Sequence, residues 1–275
     1  MTIAKQWPLK CIVDLERYPL TDLASATGNQ FVARCRARFG DQVCCALPGF
    51  ILPDALTTMI ASVEEKERHA HRRRQYKSAY SAYKPIHDEA ATTLEADDPH
   101  LIPLLRDVHF LGYDEFGDDS VLRTLYEAPE LSAFAAAVLG VPQLFHAADP
   151  LMAAPISLHY EGSELGWHCD TQEFTITVML RPSESGGKFQ YFPEAGPRDR
   201  NFDRVPELLK GDEEDVRDVA FEAGTVILFR GANTLHRVTR TYGKRPRILS
   251  IFHFEGTPDR IYDDQFKMDT FGRVT

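Results

Sequence analysis

Three side chains stand at a spacing that could do chemistry: His168, Asp170 and His236. In Gly166-Trp167-His168-Cys169-Asp170 an imidazole and a carboxylate lie two residues apart, so on a strand, or at its end, they share one face while Cys169 turns to the other. Taken alone, such a pair is a common short pattern and serves equally well as a hydrogen-bonded surface pair. Its downstream context is more specific. An apolar strand from Gly224 to Phe229 leads through a loop to His236, with enough chain in between to bring the second histidine back beside the first pair. Two histidines and one carboxylate on one face of a metal suit non-haem Fe(II) and leave coordination positions open for reaction. A closed structural site would leave none.

Arg247 comes next, at the start of the last strong apolar strand. A guanidinium fork there could hold a dicarboxylate bidentately, which a lysine could not do with the same geometry. Arg237, Arg240, Lys244 and Arg245 are close by, and any one of them could be a solvated charge. Arg247 differs because it adjoins an apolar strand, where a buried charge is costly without a partner. Arg245 is the alternative. A second ligand-like pair, His253-Phe254-Glu255, has no histidine after it and reads as cavity wall or core.

Those residues need strands to carry them, and the second half of the chain supplies them. Ile156–Tyr160, Phe174–Leu180, Lys188–Phe192, Thr225–Phe229 and Ile248–Phe254 are short, rich in β-branched and aromatic residues, and separated by turns such as Ser185-Gly186-Gly187. The polar stretch 193–218 interrupts them as a surface insertion, with one helical turn around Val205–Leu209. The first half reads as helical. Thr21 or Asp22 caps a segment to about Phe39, Pro53-Asp54 opens a second helix, and Pro129-Glu130 opens a third that Gly140 closes. A short strand, Val43–Leu47, lies between the first two. The expected organisation is one domain, mainly β with flanking helices: a helical part over 1–150, a β core over 151–256, and a tail over 257–275.

Composition bounds the rest. The 275 residues are 43% hydrophobic and 26% charged, an ordinary soluble balance. A chain of that length buries roughly 70–75% of its unfolded surface and needs no structural metal or disulfide for its core. With 31 basic and 41 acidic side chains the net charge is −10, which argues against nucleic acid or an anionic membrane as partner. The five cysteines have no metal-site spacing, and neither a spanning segment nor a signal peptide is apparent, so a cytoplasmic protein with reduced thiols is expected. The oligomeric state is open, a homodimer included.

The series His168-x-Asp170, strand, Gly186-Gly187, strand, His236 and Arg247 resembles the Fe(II)/2-oxoglutarate-dependent dioxygenases over roughly residues 150–255. The resemblance implies a double-stranded β-helix, also called a jelly roll or cupin-like fold. It also implies Fe(II) held by His168, Asp170 and His236, with 2-oxoglutarate on the iron, its far carboxylate on Arg247, and O2 at the last position. A finer similarity is to the free-lysine radical halogenases and their hydroxylase relatives. It rests on Leu228-Phe229-Arg230, Leu235-His236-Arg237-Val238-Thr239, Leu94-Glu95-Ala96-Asp97-Asp98-Pro99 and Phe271-Gly272-Arg273. Halogenases of that group have glycine in place of Asp170, because chloride takes the carboxylate's position, so Asp170 implies oxygenation.

The same similarity implies that an arginine in the His69–Tyr83 stretch binds a substrate carboxylate, Arg73 or Arg74 being the candidates beside Tyr76, Tyr80 and Tyr83. A basic run after the acids Glu64, Glu65 and Glu67 is equally a solvated face. Trp167, with Phe189, Tyr191 and Phe229, is expected to wall the substrate from water, although each is equally at home in an ordinary core. Thr171 stands where the lysine halogenases carry an acid, which weakens the case for lysine. The expected activity is hydroxylation of a small polar metabolite, a free amino acid or derivative, with release of succinate. A prolyl-type hydroxylase of protein side chains and a non-catalytic jelly-roll binding module are the alternatives.

Overall fold

Ser25 starts the first long helix: its side chain accepts from the backbone N–H of Gly28 at 3.0 Å, satisfying a donor that the helix terminus leaves open. In the computed structural model, which describes residues 7–80, 95, 98–172, 174–193 and 204–275, this helix α1 spans Ala26–Gln42. It begins later than the Thr21/Asp22 cap expected from the sequence, because Leu20–Asp22 forms a separate 3-10 turn against which only a glycine at 28 fits. Then come β1 (Cys44–Leu47), α2 (Pro53–Lys66), β2 (His71–Lys77), β3 (Leu104–Leu111), α3 (Val121–Glu127) and α4 (Pro129–Leu139), the last capped by Gly140 at φ +73. The second half contributes β4 (Phe145–His146), β5 (Ile156–His159), β6 (Leu165–His168), β7 (Thr175–Arg181), β8 (Ser185–Gly186) and β9 (Phe189–Phe192). It continues with α5 (Val205–Leu209), β10 (Arg217–Asp218), β11 (Val226–Phe229), β12 (Leu235–Val238), β13 (Thr241–Tyr242), β14 (Arg247–Phe252), β15 (Phe254–Glu255) and α6 (Asp264–Phe271). Tyr83, residues 94, 96 and 97 of the Leu94–Pro99 segment, and 194–203 of the insertion lie outside the described residues.

Among the described residues, eleven strands form one sheet in the order β1-β11-β7-β14-β5-β3-β6-β12-β9-β10, with β2 added on β3. Every pairing within it among the described residues is antiparallel, and the curled sheet with its covering helices is the expected jelly-roll architecture. Two-residue alternation gives the central strands two different faces. Ile156 and Leu158, Ile176, Val178 and Leu180, and Ile248 and Phe252 pack into one core with Phe31, Met59, Leu125 and Phe134 of the helices. Ser157 and His159, Thr175 and Thr177, and Arg247, Leu249 and Ile251 face a cavity on the other side.

Besides the expected β1, two strands of the sheet, β2 and β3, come from the half expected to be helical. The β2 sequence His-Arg-Arg-Arg-Gln-Tyr-Lys has no apolar alternation to announce it, since Arg72, Arg74 and Tyr76 are exposed and the inward Arg73, Gln75 and Lys77 are polar as well. Among the described residues, no helix is long and apolar enough to cross a membrane.

Tyr126 of α3 ties the helical layer to the cavity wall. Its buried hydroxyl donates to the His253 carbonyl at 2.8 Å and accepts from the Ala147 N–H at 3.0 Å. Tyr126→Phe strands both groups in the interior and is expected to lower stability by about 1–3 kcal/mol. Urea unfolding should show a lower midpoint at unchanged slope, and an unchanged midpoint would contradict the assignment.

Candidate active site

Cross-strand register brings the two histidines together, because β6 and β12 pair with His168 opposite His236. Their rings stand 4.2 Å apart between centroids. The His168 Nδ1 lies 2.7 Å from the Gly166 carbonyl and the His236 Nδ1 lies 2.9 Å from the Thr234 carbonyl. A carbonyl can only accept, so both Nδ1 atoms carry the proton and both Nε2 lone pairs are free to bind a metal. Asp170 completes the set: its Oδ1 is 3.7 Å from His168 Nε2 and 3.5 Å from His236 Nε2, and the three ligand atoms lie within 4.8 Å of one another.

The carboxylate has its place because position 231 is glycine. Gly231 O accepts from the Asp170 N–H at 3.0 Å, and any side chain at 231 would overlap the Asp170 carboxylate. Burial raises the Asp170 carboxyl, but protonation of His236, His168 or His253 beside it would stabilise the anion, and the balance brings it down to about 2. Burial, reinforced by His236 and Arg106, holds His168 well below the ordinary histidine range. Two neutral imidazoles and one carboxylate, with no backbone amide or thiolate among them, are a donor set that fits Fe(II).

Arg247 faces the same cavity from β14 and is 1% exposed. Its Nε and Nη1 have no hydrogen-bond partner among the described residues, and its guanidinium carbon lies 5.8 Å from the centroid of the Phe221 ring. Burial lowers it to about 9. A buried cation without an acceptor is expensive, and a carboxylate entering the cavity removes that cost. Arg245, the alternative, is exposed. The cavity holds about 330 Å³, room for a small metabolite beside a cosubstrate.

A family model described as Halogenase D matches residues 106–270, a span that includes all four of these residues. The chain belongs to the Halogenase D family. It is an enzyme of the Fe(II)/2-oxoglutarate-dependent oxygenase type, and its His168, Asp170 and His236 set is compatible with iron. Solved structures agree on the fold. The non-heme alpha-ketoglutarate-dependent carbocyclase SnoK from nogalamycin biosynthesis is 14% identical at a TM-score of 0.55, covering 88% of this chain and 92% of that one. The epimerase SnoN from the same biosynthesis is 15% identical at 0.54, covering 81% and 80%. AviO1 from Streptomyces viridochromogenes is 17% identical at 0.53, covering 84% and 97%. At such identities the likeness is one of fold. No curated protein matches the sequence.

In this Halogenase D family member, the strand alternation of β2 separates the two arginine candidates. Arg73 points into the cavity, whereas Arg74 is half exposed and pairs with Asp107 at 3.5 Å on the outer face. Trp167 does not line the cavity. It is buried among Ala79, Tyr80, Phe192 and Leu208, with the Arg237 guanidinium 4.5 Å above its ring, because alternation turns it away from its neighbour His168. Tyr191 is also off the cavity, whereas Phe189 and Phe229 line it. Tyr76 is exposed, and Tyr80 stacks on His100 at 3.9 Å. His253 is cavity wall. The sequence reading missed Lys77, Arg106, and Phe266 and Thr270 of α6, all of which line the cavity. The four-residue spacing of Phe266 and Thr270 was the available signal for one helical face, but the stretch had been read as a tail.

The interior imidazoles set an acid limit. Burial holds His253 low, and burial together with the Arg247 charge holds His159 well below the ordinary range. In the unfolded chain both titrate near 6.5, so below that pH the unfolded state binds more protons and stability falls. The loss is expected to reach about 1.4 kcal/mol per pH unit for each histidine. Urea midpoints of the metal-free enzyme should drop between pH 7 and 5, and His159→Gln should flatten the slope. A pH-independent midpoint across that window would count against it.

Proposed function

We propose that this enzyme hydroxylates an unactivated C–H of a small polar metabolite, an amino acid or a close derivative, with release of succinate and CO2. One observation carries the reading: a carboxylate, Asp170, stands with His168 and His236, and the orphaned Arg247 guanidinium shares their cavity. His168, Asp170 and His236 would hold the iron, and Arg247 the far carboxylate of 2-oxoglutarate. Iron with this cosubstrate and O2 supplies an oxidant able to remove hydrogen from an unactivated carbon and return oxygen to it.

The protein's own residues account for position and dryness. The Gly166 and Thr234 carbonyls fix the imidazole tautomers, and Gly231 leaves room for the carboxylate. Phe189 and Phe229 lie against the His236 ring, at 5.6 and 4.9 Å between centroids, and keep water from that side. Arg73 of β2 is suited to a substrate carboxylate, with Phe266 and Thr270 of α6 beside it. A 330 Å³ cavity walled by β2 and α6 suits a small ligand better than a peptide groove. The acidic chain with its enclosed site suits a small-molecule partner, and a cytoplasmic location remains part of the proposal.

Anaerobic addition of Fe(II) and 2-oxoglutarate is expected to produce the weak charge-transfer band in the visible green. His236→Ala should abolish it, and persistence of the band in that variant would contradict the assignment. Arg247→Gln should weaken 2-oxoglutarate binding roughly 30-fold or more, the loss of about 2 kcal/mol from one charge-assisted hydrogen-bonding group. With a substrate found by succinate release and a +16 product, Asp170→Gly in chloride should yield chlorinated product if the place of the carboxylate can pass to a halide.

A further inference from the structure

One wall of the cavity is basic. Alternation along β2 turns Arg73, Gln75 and Lys77 inward, and Arg106 of β3, the register partner of Gln75, lines the cavity beside them. With Arg247 on the far strands, four cations line the cavity, while Asp170 is the one carboxylate among its described lining residues.

The hydrogen bonds described for Arg73 go to neutral acceptors. Arg73 donates to Thr270 Oγ1 at 3.4 Å, and to the side-chain carbonyl of Gln75 in that amide's satisfied orientation at 2.7 and 2.9 Å. Arg106 donates to the Ser78 carbonyl at 3.2 Å. No ion pair to a described carboxylate is found for Lys77, and its pKa is lowered by burial and by the neighbouring Arg73 and Arg106 charges, against a partial counterweight from Asp269. Burial lowers Arg73 too, again against Asp269, and burial with the Arg73 charge brings Arg106 down to about 10, against Asp170 and Cys169. Like charges packed along one half-buried wall repel, and desolvation enlarges the penalty.

The two charges of bound iron offset the two carboxylates of 2-oxoglutarate, so the surplus is set by the protein's own side chains. One substrate carboxylate opposite Arg73 leaves most of it unmet, and a substrate ammonium near Lys77 would add to it. Building on the oxygenase reading above, we infer that the substrate carries at least two anionic groups, as an acidic or phosphorylated amino acid does, and that Arg73, Lys77 and Arg106 grip the second one. Lys77 is the discriminating residue, because it is the compact charge in this wall with no described hydrogen-bond partner to hold it elsewhere.

The test is calorimetric binding to the full chain loaded with Mn(II) and saturating 2-oxoglutarate, using L-glutamate against L-glutamine and L-lysine, and O-phospho-L-serine against L-serine. At least one acidic member should bind tenfold or more tighter than its neutral counterpart, and L-lysine should bind weakest. A tight L-glutamate points to a second carboxylate, and a tight O-phospho-L-serine to a phosphate. Lys77→Gln should erase the preference, and Lys77→Glu should reverse it in favour of L-lysine, with circular dichroism checking that each variant is folded. L-lysine or the neutral compounds binding as tightly as the acids, no acid binding at all, or an order unchanged in folded Lys77→Glu would each overturn the inference while leaving the enzyme class standing. Failure of 2-oxoglutarate itself to bind would overturn the reading on which the inference rests, and the inference with it.

Discussion

Arg247 is a full charge with 1% of its surface exposed, and the central sheet is arranged around that fact. Its strand, β14, pairs with β5 on one side and β7 on the other, and all three strands turn apolar side chains to the helices and polar or cavity-lining ones the other way. The helices α1 to α4 can cover the first face because it is mainly apolar. The second face cannot be packed in the same way without stranding the guanidinium, so it stays open as a cavity. The chain keeps a stable core and a reactive interior within one layer of strands by assigning them to opposite sides.

The metal centre uses the same economy. Two histidines that pair across β6 and β12 acquire their tautomers from backbone carbonyls two residues before each of them, Gly166 and Thr234. The carboxylate follows just after the end of β6, where Gly231 from the start of a neighbouring turn makes space for it. Strand register thus supplies the imidazoles and a single missing Cβ supplies room for the anion. The family is described as Halogenase D, and in this chain a carboxylate, Asp170, stands with the two histidines.

The overall charge and the charge at the site have opposite signs. A chain of net charge −10 concentrates arginine and lysine along β2, β3 and β14, and spends its acids on outer pairs such as Arg72 with Asp107 and Arg240 with Glu164. Alternation again makes the division: of three consecutive arginines, 72 and 74 are neutralised outside by Asp107, and 73 is turned inward. A field of that kind draws small anions out of an acidic surface into the cavity.

The sequence by itself determined the candidate ligand types and the core strands, because both are local. The period-2 pattern of Ile156–His159 or Thr175–Arg181 is set by neighbours in the chain, and the His-x-Asp spacing fixes which two side chains share a face. It also singled out Arg247, since a charge at the head of an apolar strand is conspicuous. Tertiary structure decided what depends on distant partners. β2 became a strand because β3 offered it an edge, not because of any pattern of its own, and that pairing chose Arg73 over Arg74 and brought Lys77 and Arg106 to the cavity. Trp167 went to a satellite core although it adjoins a metal-ligand candidate, because the face opposite His168 was the one with apolar company. Helix α6 closed the site from a segment read as a tail. Which face a residue shows can be read from its neighbours in sequence, but what that face meets is set by segments far along the chain, and only the folded packing brings those together.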